Sequence, residues 1–228
     1  GYPAGYGGYL SSGGSMANFT AVVTARDHRG IEGTKIAQSV VYLTDHAHHC
    51  IDKAIHLAGL SKCLVRRIPV DERYRMRADL LAIQLKADTD AGLNPFFVVA
   101  TAGTTNTGSV DPLEEIGNLA AKFGAWYHID GAYGALFALC EAGRKMLKGM
   151  ELSDSIVMDP HKTLFLPYGI GALLVKDKTL LLEAHAAGAH YMQDVVHVEA
   201  TSPATLSPEL TKHFRGLRMW LPLQVVGV

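Results

Sequence analysis

Short apolar runs alternate with longer segments of helical period along most of this chain, and that alternation admits few architectures. The pattern predicts strands over 39–43, 64–68 and 96–101, with helices over 47–58 and 77–87 between them. A further helix carries Pro112 in its first turn, with Asp111 as its cap, and runs to about Lys122. Beyond it, 126–129 reads as a strand ending at Asp130, and 155–158 and 171–175 as two more. Strands alternating with helices predict an α/β fold: a mostly parallel sheet with helices on both faces. Such sheets bind ligands beyond the carboxyl ends of their strands, which is where Asp130 and Lys162 fall. Residues 1–15 read as a flexible glycine, tyrosine and serine loop feeding a helix from Ser15, whose repeat is set by Met16, Ala17, Phe19, Val22 and Val23. The segment 188–207 lacks a clear period and reads as a mobile active-site loop.

Size and charge narrow the possibilities further. At 228 residues and 48% hydrophobic, the chain suits a single domain over 1–228 with one substantial core. Lysine and arginine total 21 against 22 acids, so no positive excess is available for a nucleic-acid backbone or an anionic membrane surface. The longest apolar stretches, 96–102 and 170–175, fall far short of the roughly 20 residues that span a bilayer. Cys50, Cys63 and Cys140 are odd in number and form no CxxC pair, which argues against a disulfide framework and for a reducing cytoplasm. The chain opens Gly1-Tyr2-Pro3 and stops at Gly227-Val228, which reads as a fragment of a longer protein.

Three motifs carry chemistry. Ser11-Ser12-Gly13-Gly14-Ser15 before a helix offers bare backbone amides, hydroxyls and the positive helix end, a combination suited to phosphate. Asp130 ends an apolar strand and is followed by Gly131-Ala132, small residues that let a flat ring approach. Asp159-Pro160-His161-Lys162 follows another strand, and a lysine at a buried strand end can lose its proton and attack an aldehyde. Each motif alone has an ordinary reading as a helix cap, a turn aspartate or a solvated lysine. His46, His48, His49 and Cys50 would point in different directions on a strand or a helix and have no second ligand pair, so no metal is expected. The glycine loop lacks the G-x-G-x-x-G spacing after a strand, which counts against a nicotinamide dehydrogenase.

Taken together the motifs are more specific. Gly14-Ser15, His48, Gly103-Thr104-Thr105, His128-Ile129-Asp130-Gly131-Ala132-Tyr133 and Pro160-His161-Lys162 occur in an order that resembles the group II pyridoxal-phosphate decarboxylases. The resemblance extends to Phe214-Arg215-Gly216-Leu217-Arg218-Met219-Trp220 and includes the aromatic-amino-acid, histidine and glutamate decarboxylases. It implies the large domain of a fold type I transferase-like enzyme, with an N-terminal segment and a small C-terminal domain supplied by residues outside this chain. It further implies pyridoxal 5'-phosphate as cofactor, an L-amino acid as substrate and a homodimer with shared active sites. Lys162 would form the Schiff base, Asp130 would pair with the pyridine nitrogen, Ala132 would pack on the ring and His48 would stack on it. Gly14, Ser15 and His161 match phosphate-side contacts, and Thr105 a threonine beside the cofactor. Tyr191, 29 positions beyond Lys162, matches the loop tyrosine that protonates the substrate carbon. Asp159 departs from the pattern, since many relatives carry asparagine there. The same scaffold serves aldehyde synthases and acidic-amino-acid decarboxylases, and a non-catalytic homologue is the alternative of another class.

Overall fold

The computed structural model describes residues 5–186 and 202–227. Its first half runs β1 (Gly7–Ser11), α1 (Gly14–His28), α2 (Lys35–Gln38), β2 (Ser39–Leu43), α3 (Cys50–Leu57), β3 (Leu64–Arg67), α4 (Ala78–Asp90) and β4 (Asn94–Thr101). The second half adds α5 (Leu113–Lys122), β5 (Trp126–Asp130), α6 (Glu141–Met146), β6 (Ser155–Met158), α7 (Pro160–Thr163), β7 (Gly171–Val175), α8 (Lys178–His185) and α9 (Arg215–Val226). The strands form one seven-stranded sheet in the order β1-β7-β6-β5-β4-β2-β3. From β6 to β3 every pair is parallel, while β7 lies antiparallel to both β6 and β1.

Period-two alternation divides the sheet between two apolar cores. Val41 and Leu43 of β2 point into a core shared with α1, α3 and α8, whereas Val40 and Tyr42 point into a second core shared with α4 and α5. Helices therefore cover both faces, as expected for a sheet whose central strands are buried almost throughout. Within the described residues no helix is long and apolar enough to cross a membrane.

Two local expectations are corrected. The segment read as a loop contains β1, whose glycines weaken any strand signal but let it lie flat against β7, with Tyr9 buried and its hydroxyl 2.6 Å from Thr20 Oγ1. Asp111 does not cap α5. Its buried carboxylate accepts the backbone N–H groups of Met76 and Thr101, each at 2.7 Å, and so ties the segment before α4 to the end of β4.

The two antiparallel steps at the β1 edge restore its direction, so β1 runs parallel to β6 and delivers Ser11 to the same end of the sheet as Thr101, Asp130 and Met158. α1 begins immediately afterwards. Gly13, at its N-cap with φ 154°, sits in a region that side chains disfavour. This topology places a helix N-terminus beside the carboxyl ends of the parallel strands.

Candidate functional site

A cavity of about 310 Å³ opens at that end of the sheet. It gathers Gly14 and Ser15 from α1, His48 from the turn before α3, Thr105 beyond β4, Asp130 and Ala132 from the end of β5, and His161 and Lys162 from α7. These residues span most of the chain, and the sheet brings them together. Tyr191 lies outside the described residues, as does most of 188–207.

One end of the cavity is built for an anion. No side chain caps α1 among the described residues, and its first turn carries no acid, so its leading N–H groups remain available. A Cβ on Gly14 would stand 2.9 Å from Asp159 Oδ2, so only glycine leaves this wall undisturbed. His161 closes the same side: its Nδ1–H donates to the Ile170 carbonyl at 2.6 Å, which fixes the ring beside Gly13.

Lys162 projects from α7 with Nζ 3.1 Å from Asp159 Oδ2 and 4.3 Å from the centre of the Tyr133 ring. Its side chain is 28% exposed, whereas that of Asp159 is only 1% exposed. The second carboxylate oxygen of Asp159, Oδ1, is buried without a hydrogen-bond partner among the described residues. A buried acceptor in that condition is costly unless a donor arrives with a bound group.

Asp130 is buried at the tip of β5, where its Oδ1 accepts Ala132 N–H at 3.2 Å and its Oδ2 accepts Asn18 Nδ2–H at 3.3 Å. Burial raises its pKa, and the Ala132 N–H, Lys162 and His48 oppose that rise. His48 is half-buried, and its Nδ1 accepts Cys50 N–H at 3.2 Å, which orients the ring. Burial, reinforced by His49, lowers its pKa, so the ring entering the cavity is neutral at physiological pH. His46 instead sets its ring edge-on to Tyr74, and His49 is exposed.

Two cavity residues had no sequence motif to mark them, Asn18 and Tyr168. Asn18 left one trace. It lies beside Ala17, Ala21 and Val22 on the buried side of α1, where a polar side chain needs a partner.

An amine, a buried carboxylate and an anion-ready helix end, set around a slot floored by alanine, suit a phosphorylated aromatic aldehyde with a ring nitrogen. The mostly parallel α/β sheet that carries them has a fold type I-like architecture. Residues 3–228 match the family described as "Pyridoxal-dependent decarboxylase conserved domain", and the chain belongs to that family. It is 38% identical over 230 residues to an aromatic-L-amino-acid decarboxylase of Bacillus atrophaeus, covering 100% of this chain and 48% of that protein. Tyrosine decarboxylase 2 of Arabidopsis thaliana is 33% identical over 97% of this chain and 42% of its own length. A crystal structure of Oryza sativa TDC with PLP and tryptamine superposes with a TM-score of 0.91 at 32% identity, over 98% of this chain and 47% of that one. The chain thus spans about half the length of the curated relatives it matches.

Proposed function

We propose that the protein carrying this chain is a pyridoxal-phosphate-dependent decarboxylase of an aromatic L-amino acid, and that 1–228 is part of its cofactor-binding large domain. The observation that carries this reading is the convergence of Lys162, Asp130 and the uncapped end of α1 on one cavity. When bound, the cofactor supplies an electron sink for the pair released as carbon dioxide leaves.

Around it the side chains have separate tasks. Lys162 Nζ would hold the cofactor covalently. Gly14, Ser15, His161 and the α1 amides hold the phosphate. Ala132 and His48 confine the ring from its faces, and Thr105 lies alongside. Asp130 keeps the ring nitrogen protonated through its negative charge, which strengthens the sink. By holding the ring and phosphate rigidly, these residues would fix the orientation in which the substrate's bond to its carboxylate is presented. Tyr191 returns a proton to the substrate carbon. A homodimer with shared active sites completes the reading, and the free Cys50, Cys63 and Cys140 support a reducing, cytoplasmic setting.

The aromatic preference draws on the likeness to aromatic-amino-acid and tyrosine decarboxylases. It is tested by supplying the full-length protein and pyridoxal phosphate with L-tryptophan, L-tyrosine, L-phenylalanine, L-glutamate and L-2,4-diaminobutyrate. Aromatic amine and carbon dioxide are expected in equal amounts, without hydrogen peroxide. Turnover confined to the acidic or basic substrates would overturn the substrate class, and aldehyde with peroxide would overturn plain decarboxylation.

Asp159 restrains this site before the cofactor arrives. Its carboxylate pairs with Lys162 Nζ and lies beside the phosphate cradle at Gly14. Asp159→Asn keeps the shape and removes the charge. Pyridoxal phosphate should then bind about tenfold more tightly, the lower end of what one neighbouring charge contributes. Fluorescence titration of the cofactor-free protein reads this directly, and weaker binding in the variant would assign Asp159 a supporting role instead.

A further inference from the structure

Behind Asp130 runs a buried chain of hydrogen bonds that nothing in the reaction as described requires. Trp126 Nε1–H donates to Ser155 Oγ at 2.8 Å, Ser155 Oγ lies 2.7 Å from His128 Nδ1, and His128 Nε2 lies 2.7 Å from Asn18 Oδ1. Asn18 Nδ2 then reaches Asp130 Oδ2 at 3.3 Å and Cys50 Sγ at 3.2 Å. Asn18, His128 and Ser155 are fully buried, and Trp126 and Asp130 are each only 4% exposed.

The polarity of this chain follows from its ends. An indole N–H can only donate to Ser155 Oγ, and a carboxylate can only accept, so Asn18 turns its NH₂ to Asp130 and its carbonyl to His128, whose neutral ring takes the Ser155 proton at Nδ1. The His128 proton must then sit on Nε2, where it donates to the Asn18 carbonyl. Reversing the amide would set its carbonyl against a carboxylate and its NH₂ against the imidazole N–H. Burial drives the His128 pKa down to about 3, so the ring is neutral and the chain transmits orientation without a second charge. Phe97, stacked 5.4 Å from His128 at 23°, keeps that ring from turning.

We propose that Asn18 is a positioning residue, held in one orientation by Trp126, Ser155 and His128, that fixes Asp130 as an ionised acceptor aimed at the cofactor ring nitrogen. The proposal rests on the cofactor reading given above. An amide donor stabilises the charged carboxylate against its burial, so removing the donor makes Asp130 easier to protonate. The titratable groups facing Asp130 are Lys162 and Asp159 from the β6–α7 side, and His48 and Cys50 from the β2–α3 side. His128→Phe leaves the direct contacts of all four in place, whereas Asn18→Leu also removes the hydrogen bond to Cys50 Sγ.

The test compares wild type, Asn18→Leu and His128→Phe as full-length protein loaded with pyridoxal phosphate, following the visible band of the bound cofactor against pH and melting each protein. His128→Phe leaves Asp130 and its direct partner in place, preserves a ring against Phe97 and removes only the group that orients Asn18. The acid-side midpoint of the band should rise by about one pH unit in Asn18→Leu, and by less in His128→Phe. Variants that melt lower yet keep the wild-type midpoint would reduce the chain to a structural role and overturn the proposal. If Asn18→Leu does not fold, an unmoved midpoint in His128→Phe overturns it alone. Wild-type protein that takes up no cofactor at Lys162 would instead remove the underlying reading, and this inference with it.

Discussion

Lys162→Ala should abolish the visible absorbance of bound pyridoxal phosphate and lower turnover by roughly 10⁶-fold, the scale on which loss of a covalent catalytic group acts. Lys162 is the amine in contact with Asp159 at the carboxyl end of the sheet, and it lies within the cavity that Asp130 and the α1 N-terminus share. Borohydride reduction of the loaded wild-type protein followed by peptide mapping should place the label on Lys162. A label on another lysine, or an unchanged spectrum in the alanine variant, would sink the assignment. The substitution also strips Asp159 of its cation. Since the Lys162 side chain is partly solvated, the accompanying loss of stability should be small, and Lys162→Ala combined with Asp159→Asn should recover it without recovering activity. That contrast separates a chemical role for the lysine from a structural one.

Much of this architecture could be read from residues alone, for identifiable reasons. Runs such as those of β2, β5, β6 and β7 are mostly apolar because helices cover both faces of the sheet. The edge strand β1 escaped because Gly7 and Gly8 carry no β signal, and their value lies in the close approach of β7. Asp111 looked like a cap from its neighbours, but Met76, 35 residues away, claims its carboxylate. The same distinction governs the site. Gly14, Ser15, Asp130 and Lys162 sit in motifs whose local sequence carries meaning, and the cavity contains them all. Asn18, Ser155 and Trp126 matter only through tertiary contacts between α1, β5 and β6, which no local spacing encodes. A polar residue on the buried side of a helix was the single available hint.

Asp130→Asn should lower kcat by about 10²–10³-fold while leaving the cofactor bound, because it removes a preorganised charge and spares both the covalent and the phosphate attachments. The defect deepens through Asn18, whose NH₂ would meet another NH₂ unless the new amide turned its oxygen toward it. Acid should reproduce the effect in the wild type. Activity needs the ionised carboxylate, so kcat should fall as pH drops through the Asp130 pKa of the loaded enzyme, which a protonated ring nitrogen holds below that of the cofactor-free protein; the asparagine variant should lack this limb. Stability should move the other way. A carboxyl whose folded pKa lies above its unfolded one favours folding below the unfolded value, and that contribution disappears as pH rises through the folded value. At neutral pH the raised pKa of Asp130 therefore costs the cofactor-free protein stability, and Asp130→Asn should melt at a higher temperature than wild type. Pyridoxal phosphate should narrow that gap, since a protonated ring nitrogen gives the wild-type carboxylate the partner that the apoprotein lacks. A variant that lost neither activity nor its acid limb would show that the buried charge serves the fold alone; lower activity joined to higher apoprotein stability would show a destabilising group kept for its chemistry.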